Sequence, residues 1–164
     1  MLEIEQYTAP DLPVIESFIA ALHDAERQLI PILSPGAELA AAEVRRMLDE
    51  ISDDKGLALV AKSEGLAIGF GCVLFDDYRD PSYCEAHRRR AYLSYLYVAA
   101  PCRRRGIARA LLAYMETEAI RRGCSRFVTR FKTVNTAARC CYEAAGFQPD
   151  QSIVSKPIGG VDAA

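Results

Sequence analysis

The chain has 164 residues, 51% of them hydrophobic and 26% charged, with 20 basic against 22 acidic side chains and a formal net charge of −2. This is the length of one domain with enough apolar content for a packed core, so a disordered chain is excluded, and the near-neutral balance excludes any global pull toward nucleic acid or anionic membrane. No apolar run approaches the ~18 residues a spanning helix needs, and "MLEIEQYTAPDL" has no basic region leading into an apolar one, so the expectation is a cytoplasmic protein with no membrane partner.

In chain order, "LEIEQY" from Leu2 to Tyr7 alternates apolar and polar residues and predicts a strand. Thr8 followed by Asp11 is a helix-start signal, and Val14, Ile15, Phe18, Ile19 and Leu22 recur at helical spacing from about Asp11 to Leu29. "PILSPG" breaks that helix, and "AELAAAEVRRMLDEI" predicts a second. "GLALVAK" and "LAIGFGCVLF", joined by "SEG", read as a β-hairpin, with Gly69 and Gly71 marking a bulge or a close backbone approach. After the polar loop "DDYRDPSYCEAHRRR", the run "AYLSYLYV" predicts a strand. A helix follows through Ile107, Leu111, Leu112, Met115 and Ile120, stopped by Gly123. "SRFVTRF" is then a strand, "NTAARCCYEAAGF" a short helix ended by Gly146, and "SIVSKPI" a final strand. Hairpins and strand-helix-strand crossovers coexist, which predicts an α/β domain with a mixed sheet. With no linker or repeat, residues 1–160 form one domain and 161–164 a C-terminal tail.

The six cysteines form no CxxC pair and the chain has only two histidines, His23 and His87, so neither a metal site nor a disulfide framework is expected. The concentrated positive charge lies instead in "VAAPCRRRGIARALL", where Arg103, Arg104 and Arg105 meet Gly106 as a strand gives way to a helix. Helix N-termini carry unpaired N–H groups and a partial positive potential, and a small residue at the turn lets backbone approach an anion. Arginines there add charge-assisted bonds, with one or two of the three facing the anion and the rest solvated.

Two motifs in this half of the chain resemble the GCN5-related N-acetyltransferase (GNAT) family. The first is Arg103-Arg104-Arg105-Gly106-Ile107-Ala108 after the strand segment "LYV", matching the family's Gln/Arg-x-x-Gly-x-Gly/Ala acyl-CoA motif. The second is Asn135, then Tyr142 and "EAAGF". The resemblance implies a largely antiparallel mixed sheet of about six to seven strands flanked by about four helices, with two strands splayed into a V-shaped slot. It implies that the backbone from Arg103 to Ala108 cradles the CoA pyrophosphate, and that the backbone of Leu96, Tyr97 and Val98 pairs with the pantetheine arm, the Val98 N–H facing the thioester oxygen. Asn135 is expected to bond the pantetheine region, and Tyr142, seven residues on and so on nearly the same helix face, to protonate the leaving thiolate.

The implied activity is an acetyl-CoA-dependent transfer of acetyl to a primary amine, by direct attack in a ternary complex, with a small molecule as acceptor. A protein N-terminus or lysine is the alternative acceptor, a non-catalytic acyl-CoA sensor the alternative class, and a homodimer a compatible assembly. Many relatives carry a Glu or Asp on the strand ahead of "LYV"; Ser94 and Tyr95 stand there, which leaves the general base open among Glu26, Asp76, Asp77, Glu85 and His87. Cys102 sits at a helix entrance and could form a covalent acyl intermediate, but direct attack on a bound thioester needs no enzyme nucleophile. "HRRR" from His87 to Arg90 is a solvated loop or a contact for phosphate or an acidic substrate, and a nucleic-acid role for the arginines conflicts with the acidic balance.

Overall fold

The alternation of "LEIEQ" becomes strand β1 (Leu2–Gln6), which pairs antiparallel with β2 (Gly56–Ser63). The computed structural model describes residues 1–156. β2 turns at Glu64–Gly65, both at positive φ, into β3 (Leu66–Asp77), as the "SEG" signal predicts. β4 (Arg89–Val98) pairs antiparallel with β3, and β5 (Arg126–Thr129) runs parallel to β4, closing a five-stranded sheet in the order β1-β2-β3-β4-β5.

Helices α1 (Leu12–Leu29) and α2 (Gly36–Ile51) cover one face of the sheet. Ile15, Phe18, Ile19, Val44 and Met47 bury against Val60, Phe70, Cys72 and Tyr95. The start of α1 is held by Asp11, whose carboxylate accepts from the Thr8 N–H at 2.8 Å and the Thr8 hydroxyl at 2.7 Å and pairs with Lys62 at 2.9 Å. Helix α3 (Ile107–Arg121) covers the opposite face, packing Ile107, Leu111, Leu112 and Met115 on Leu59, Val73, Ala91 and Leu93. Gly71 marks the expected close approach: a Cβ there would lie 2.2 Å from Met115 Cε. Helix α4 (Thr136–Ala144) follows β5. No helix of the described residues is long and apolar enough to cross a membrane.

Among the described residues the sheet has five strands where six to seven were expected, and β5 is shorter than "SRFVTRF" predicts. The proposed last strand, "SIVSKPI", forms no ladder over 152–156, and Pro157 and Ile158 lie outside the described residues. Ile153 and Val154 are 80% and 92% exposed. They are consecutive, so in a strand they would point to opposite faces and no single core could take both.

One irregularity positions everything that follows. Cys72 pairs with Tyr95 but Val73 pairs with Leu93, so Ser94 is an extra residue, a bulge in β4. Before it, Ala91 and Leu93 face α3; after it, Tyr95 and Tyr97 face α1 and α2, and Leu96 and Val98 face α3.

Candidate functional site: a fork between two strands

β4 and β5 part at the bulge. Their ladder ends at Leu93 opposite Thr129, while β4 continues against β3 as far as Val98 opposite Gly69. From Ser94 to Val98, the side of β4 turned toward β5 therefore has no strand neighbour. This is the splayed slot expected of the fold, and Leu96, Tyr97 and Val98 lie along it.

The arginine loop closes the far end of the slot. Arg104 has φ +63° and Gly106 φ +79°, and α3 begins at Ile107 with no capping side chain. A Cβ on Gly106 would meet no protein atom within 4 Å, so glycine is required here for its backbone angle and not for room inside the protein. Among the described residues, the backbone N–H groups from Arg104 to Arg109 have no acceptor. A run of free N–H groups at a helix start, with two left-handed residues within it, can cradle an anion. Ala108 lies within it.

The three arginines divide their work. Arg103 turns back, donating from Nε to the Val98 carbonyl at 3.0 Å and lying over the Tyr97 ring at 5.8 Å, so it braces the strand end. Arg104 and Arg105 are exposed. Arg105 lines a surface groove of about 310 Å³ with Leu66, Ile68, Cys102 and Ile107.

Tyr142 stands at the crotch of the fork. Its ring packs 5.6 Å from Phe131 and 5.5 Å from Phe147. Burial pushes its phenol up to about 12; the Thr129 hydroxyl beside it pulls the other way, and the Cys141 and Glu26 charges add to the rise. Thr129 donates to the Leu93 carbonyl at 3.2 Å, so the phenol lies at the last rung. Asn135 differs from its expected setting. It is the N-cap of α4, outside the helix, and its Oδ1 accepts from the Ala138 N–H at 3.0 Å. Only its Nδ2 donors are left for a ligand, and only Tyr142 of the pair sits on a helix face.

The expected base candidates separate. Asp76 is held by Arg90 through Nε at 2.7 Å and Nη2 at 3.1 Å, and Asp77 by Arg89 at 3.6 Å. Arg88 donates to the Tyr83 carbonyl at 3.0 Å. The arginines of "HRRR" thus brace the loop and the end of β3 instead of standing free in solvent. Glu85 and His87 are exposed in a short turn, and Glu26 is half-buried on α1.

A polar cluster that the sequence did not reveal lies on the α1/α2 side of β4. The Tyr95 hydroxyl donates to Glu43 and accepts from Arg46 Nη2 at 2.9 Å; Arg46 also pairs with Glu43 and, at 2.9 Å, with Glu50. Burial raises the Glu43 pKa, but Arg46 and the Tyr95 hydroxyl outweigh it and hold the carboxylate below its usual range. Burial and Glu43 push the Tyr95 phenol upward. Nearby on the same face, His23 Nε2 and Ser94 Oγ are buried without a partner. The i, i+3 and i+7 charges at 43, 46 and 50 were visible, but the link to Tyr95 spans 52 residues and left no local trace.

Residues 19–147 match the family described as the acetyltransferase (GNAT) family. Among curated proteins, none matches the chain. In shape the chain is similar to a GCN5-related N-acetyltransferase from Ralstonia eutropha, at 23% identity and a TM-score of 0.76, covering 98% of this chain and 100% of that one. It is also similar to a predicted acetyltransferase from Clostridium acetobutylicum solved with acetyl-CoA, at 20% identity and a TM-score of 0.73, covering 96% of each chain. A third similar structure is an aminoglycoside 6'-N-acetyltransferase from Acinetobacter haemolyticus, at 20% identity and a TM-score of 0.71, covering 96% of this chain and 99% of that one.

Proposed function

Because this chain belongs to the GNAT acetyltransferase family, we propose that it is an acetyl-CoA-dependent N-acetyltransferase that passes acetyl to a primary amine by direct attack in a ternary complex. The observation that carries this reading is the fork itself, with free N–H groups from Arg104 to Arg109 at one end and the Tyr142 phenol at the other. An anion at the cradle is a pyrophosphate, and the unpaired edge of β4 is the track for the pantetheine amides. The Val98 N–H faces the thioester oxygen, and Asn135 supplies Nδ2 to the arm.

The chemistry follows from these placements. A neutral amine adds to the thioester carbonyl, the oxyanion is met by a backbone dipole already in place, and the C–S bond breaks to release thiolate. Tyr142 donates a hydrogen bond to that sulfur. With its phenol at about 12 and a thiol near about 8.5, full proton transfer is uphill by roughly 5 kcal/mol. Tyr142 therefore stabilises the departing thiolate, and the proton comes ultimately from the acceptor's ammonium through solvent.

The acceptor is a small molecule in this reading, in keeping with the aminoglycoside acetyltransferase among similar structures, and the enzyme works in the cytoplasm, where acetyl-CoA is supplied. The absence of a carboxylate at Ser94 and Tyr95 favours one second reading, an acyl-CoA sensor without turnover. Calorimetry with CoA and thiol release with a broad amine panel decide between them. Binding with turnover supports the enzyme, binding without turnover supports the sensor, and no CoA binding removes both.

A further inference from the structure

Among the described residues, seven side-chain carboxylates are not fully exposed, and six of them have partners. Asp11 pairs with Lys62, Glu43 and Glu50 with Arg46, Asp76 with Arg90 and Glu118 with Arg121, while Asp80 accepts from the Ser82 N–H. Glu26 is the seventh, and among the described residues its carboxylate has no ion pair and no hydrogen bond. A half-buried charge without a partner is costly to hold and is kept where something else supplies the partner.

Its position says what that is. Ile15, Ile19 and Leu22 form the stripe of α1 that faces the sheet, and Glu26 continues it one turn beyond Leu22. Phe18 on that helix packs 5.0 Å from Tyr97, near the end of β4. From there α1 runs back along β4: His23 comes level with the Glu43–Tyr95 cluster, and Glu26, about 12 Å beyond Phe18, comes level with the fork. There its charge is felt by Tyr142. Glu26 and Tyr142 thus approach the crotch from different elements, α1 and α4, at the point where the thioester is to react.

We infer that Glu26 is the residue that binds the acceptor's ammonium group, which makes the acceptor a primary amine without a carboxylate beside the amine. This rests on the acetyltransferase reading above. An ammonium held at Glu26 lies next to the reacting carbon once a proton is lost to solvent, and a carboxylate on the neighbouring carbon would meet Glu26 as a like charge. The role is binding and selection of the cation.

The experiment uses matched pairs that differ only by that carboxylate, phenethylamine against L-phenylalanine and 1,5-diaminopentane against L-lysine, within a wider panel of primary amines. Thiol release is followed with the full chain. The wild type is expected to prefer the member without the carboxylate. Glu26→Gln should raise KM for the amine about tenfold with kcat little changed and lower the preference by a similar factor. Its KM for acetyl-CoA should hold, and Glu26→Asp should recover part of the loss. Glu16→Gln, exposed on the same helix, should change nothing, and melting curves of both variants report folding. Turnover with unchanged amine KM and selectivity in Glu26→Gln, or a wild-type preference for the amino acids, overturns the inference alone. CoA binding with no turnover of any amine overturns the acetyltransferase reading, and the inference with it.

Discussion

The Tyr95 hydroxyl donates to the Glu43 carboxylate across 52 residues of chain, tying the second helix to the strand that bears the bulge. Arg46 completes the triangle. Replacing Tyr95 by Phe removes one hydrogen bond to a charged acceptor and should cost about 1.5–3 kcal/mol, and the double change with Glu43→Gln should cost less than the sum of the single ones. Denaturant unfolding of the four proteins measures the coupling; strict additivity would sink it.

The same carboxylate sets an acid dependence. Glu43 is held below its unfolded pKa, so its contribution to stability is present above the ordinary carboxylate range and is lost as pH falls through the depressed folded value. The stability gap between wild type and Glu43→Gln should therefore be widest at neutral pH and narrow on acidification. Unfolding titrations between pH 7 and about 3 check this, and a gap that widens toward acid contradicts it.

Gly106→Val places a β-branched residue at φ +79°. The strain of roughly 1–3 kcal/mol falls on the loop whose N–H groups form the cradle, and CoA binding should weaken by about tenfold or more. Arg104→Ala, which keeps the backbone path, should weaken it less. Calorimetry on both variants decides the order, and a larger loss from Arg104→Ala would mean that side chains, not backbone, hold the anion.

Tyr142→Phe should lower kcat by about a hundredfold, with acetyl-CoA binding near the wild-type value. Because the phenol stands at about 12, any alkaline limb of the rate profile below pH ~10 belongs to another group and should survive in the variant. Loss of that limb in Tyr142→Phe would reassign it to the phenol.

Gly71 lies against Met115. Gly71→Ala should destabilise by about 1–3 kcal/mol through overpacking, and most of that cost should vanish in a Met115→Ala background, itself weaker by about 2–5 kcal/mol. Thermal unfolding of the four combinations tests the compensation.

What could be read ahead of the structure was local. The hairpin turn at Glu64–Gly65, the helix stops at Gly123 and Gly146, and the loop from Arg103 to Ala108 each depend on a few adjacent residues, and each appears as expected. The bulge at Ser94 left no mark, because an inserted residue in "AYLSYLYV" looks like any other member of an aromatic-rich strand. The cap role of Asn135 was hidden, since the helix boundary falls one residue later than the motif suggests. The partners of Tyr95 and the isolation of Glu26 depend on how distant elements pack, and no spacing along the chain encodes them. No strand forms over 152–156, for Ile153 and Val154 are β-prone residues with no face to fill.

Ser94 works as a change of parity. Upstream of it the odd-numbered side chains of β4 belong to one core, and downstream they belong to the other. Deleting this single residue would leave Tyr95 and Tyr97 on the α1/α2 side and Leu96 and Val98 on the α3 side, because plain alternation from Leu93 sends them there; what it would remove is the local bend where β4 leaves β5. The opening between the two strands thus comes from one inserted residue that leaves the side chains of either core where alternation would put them.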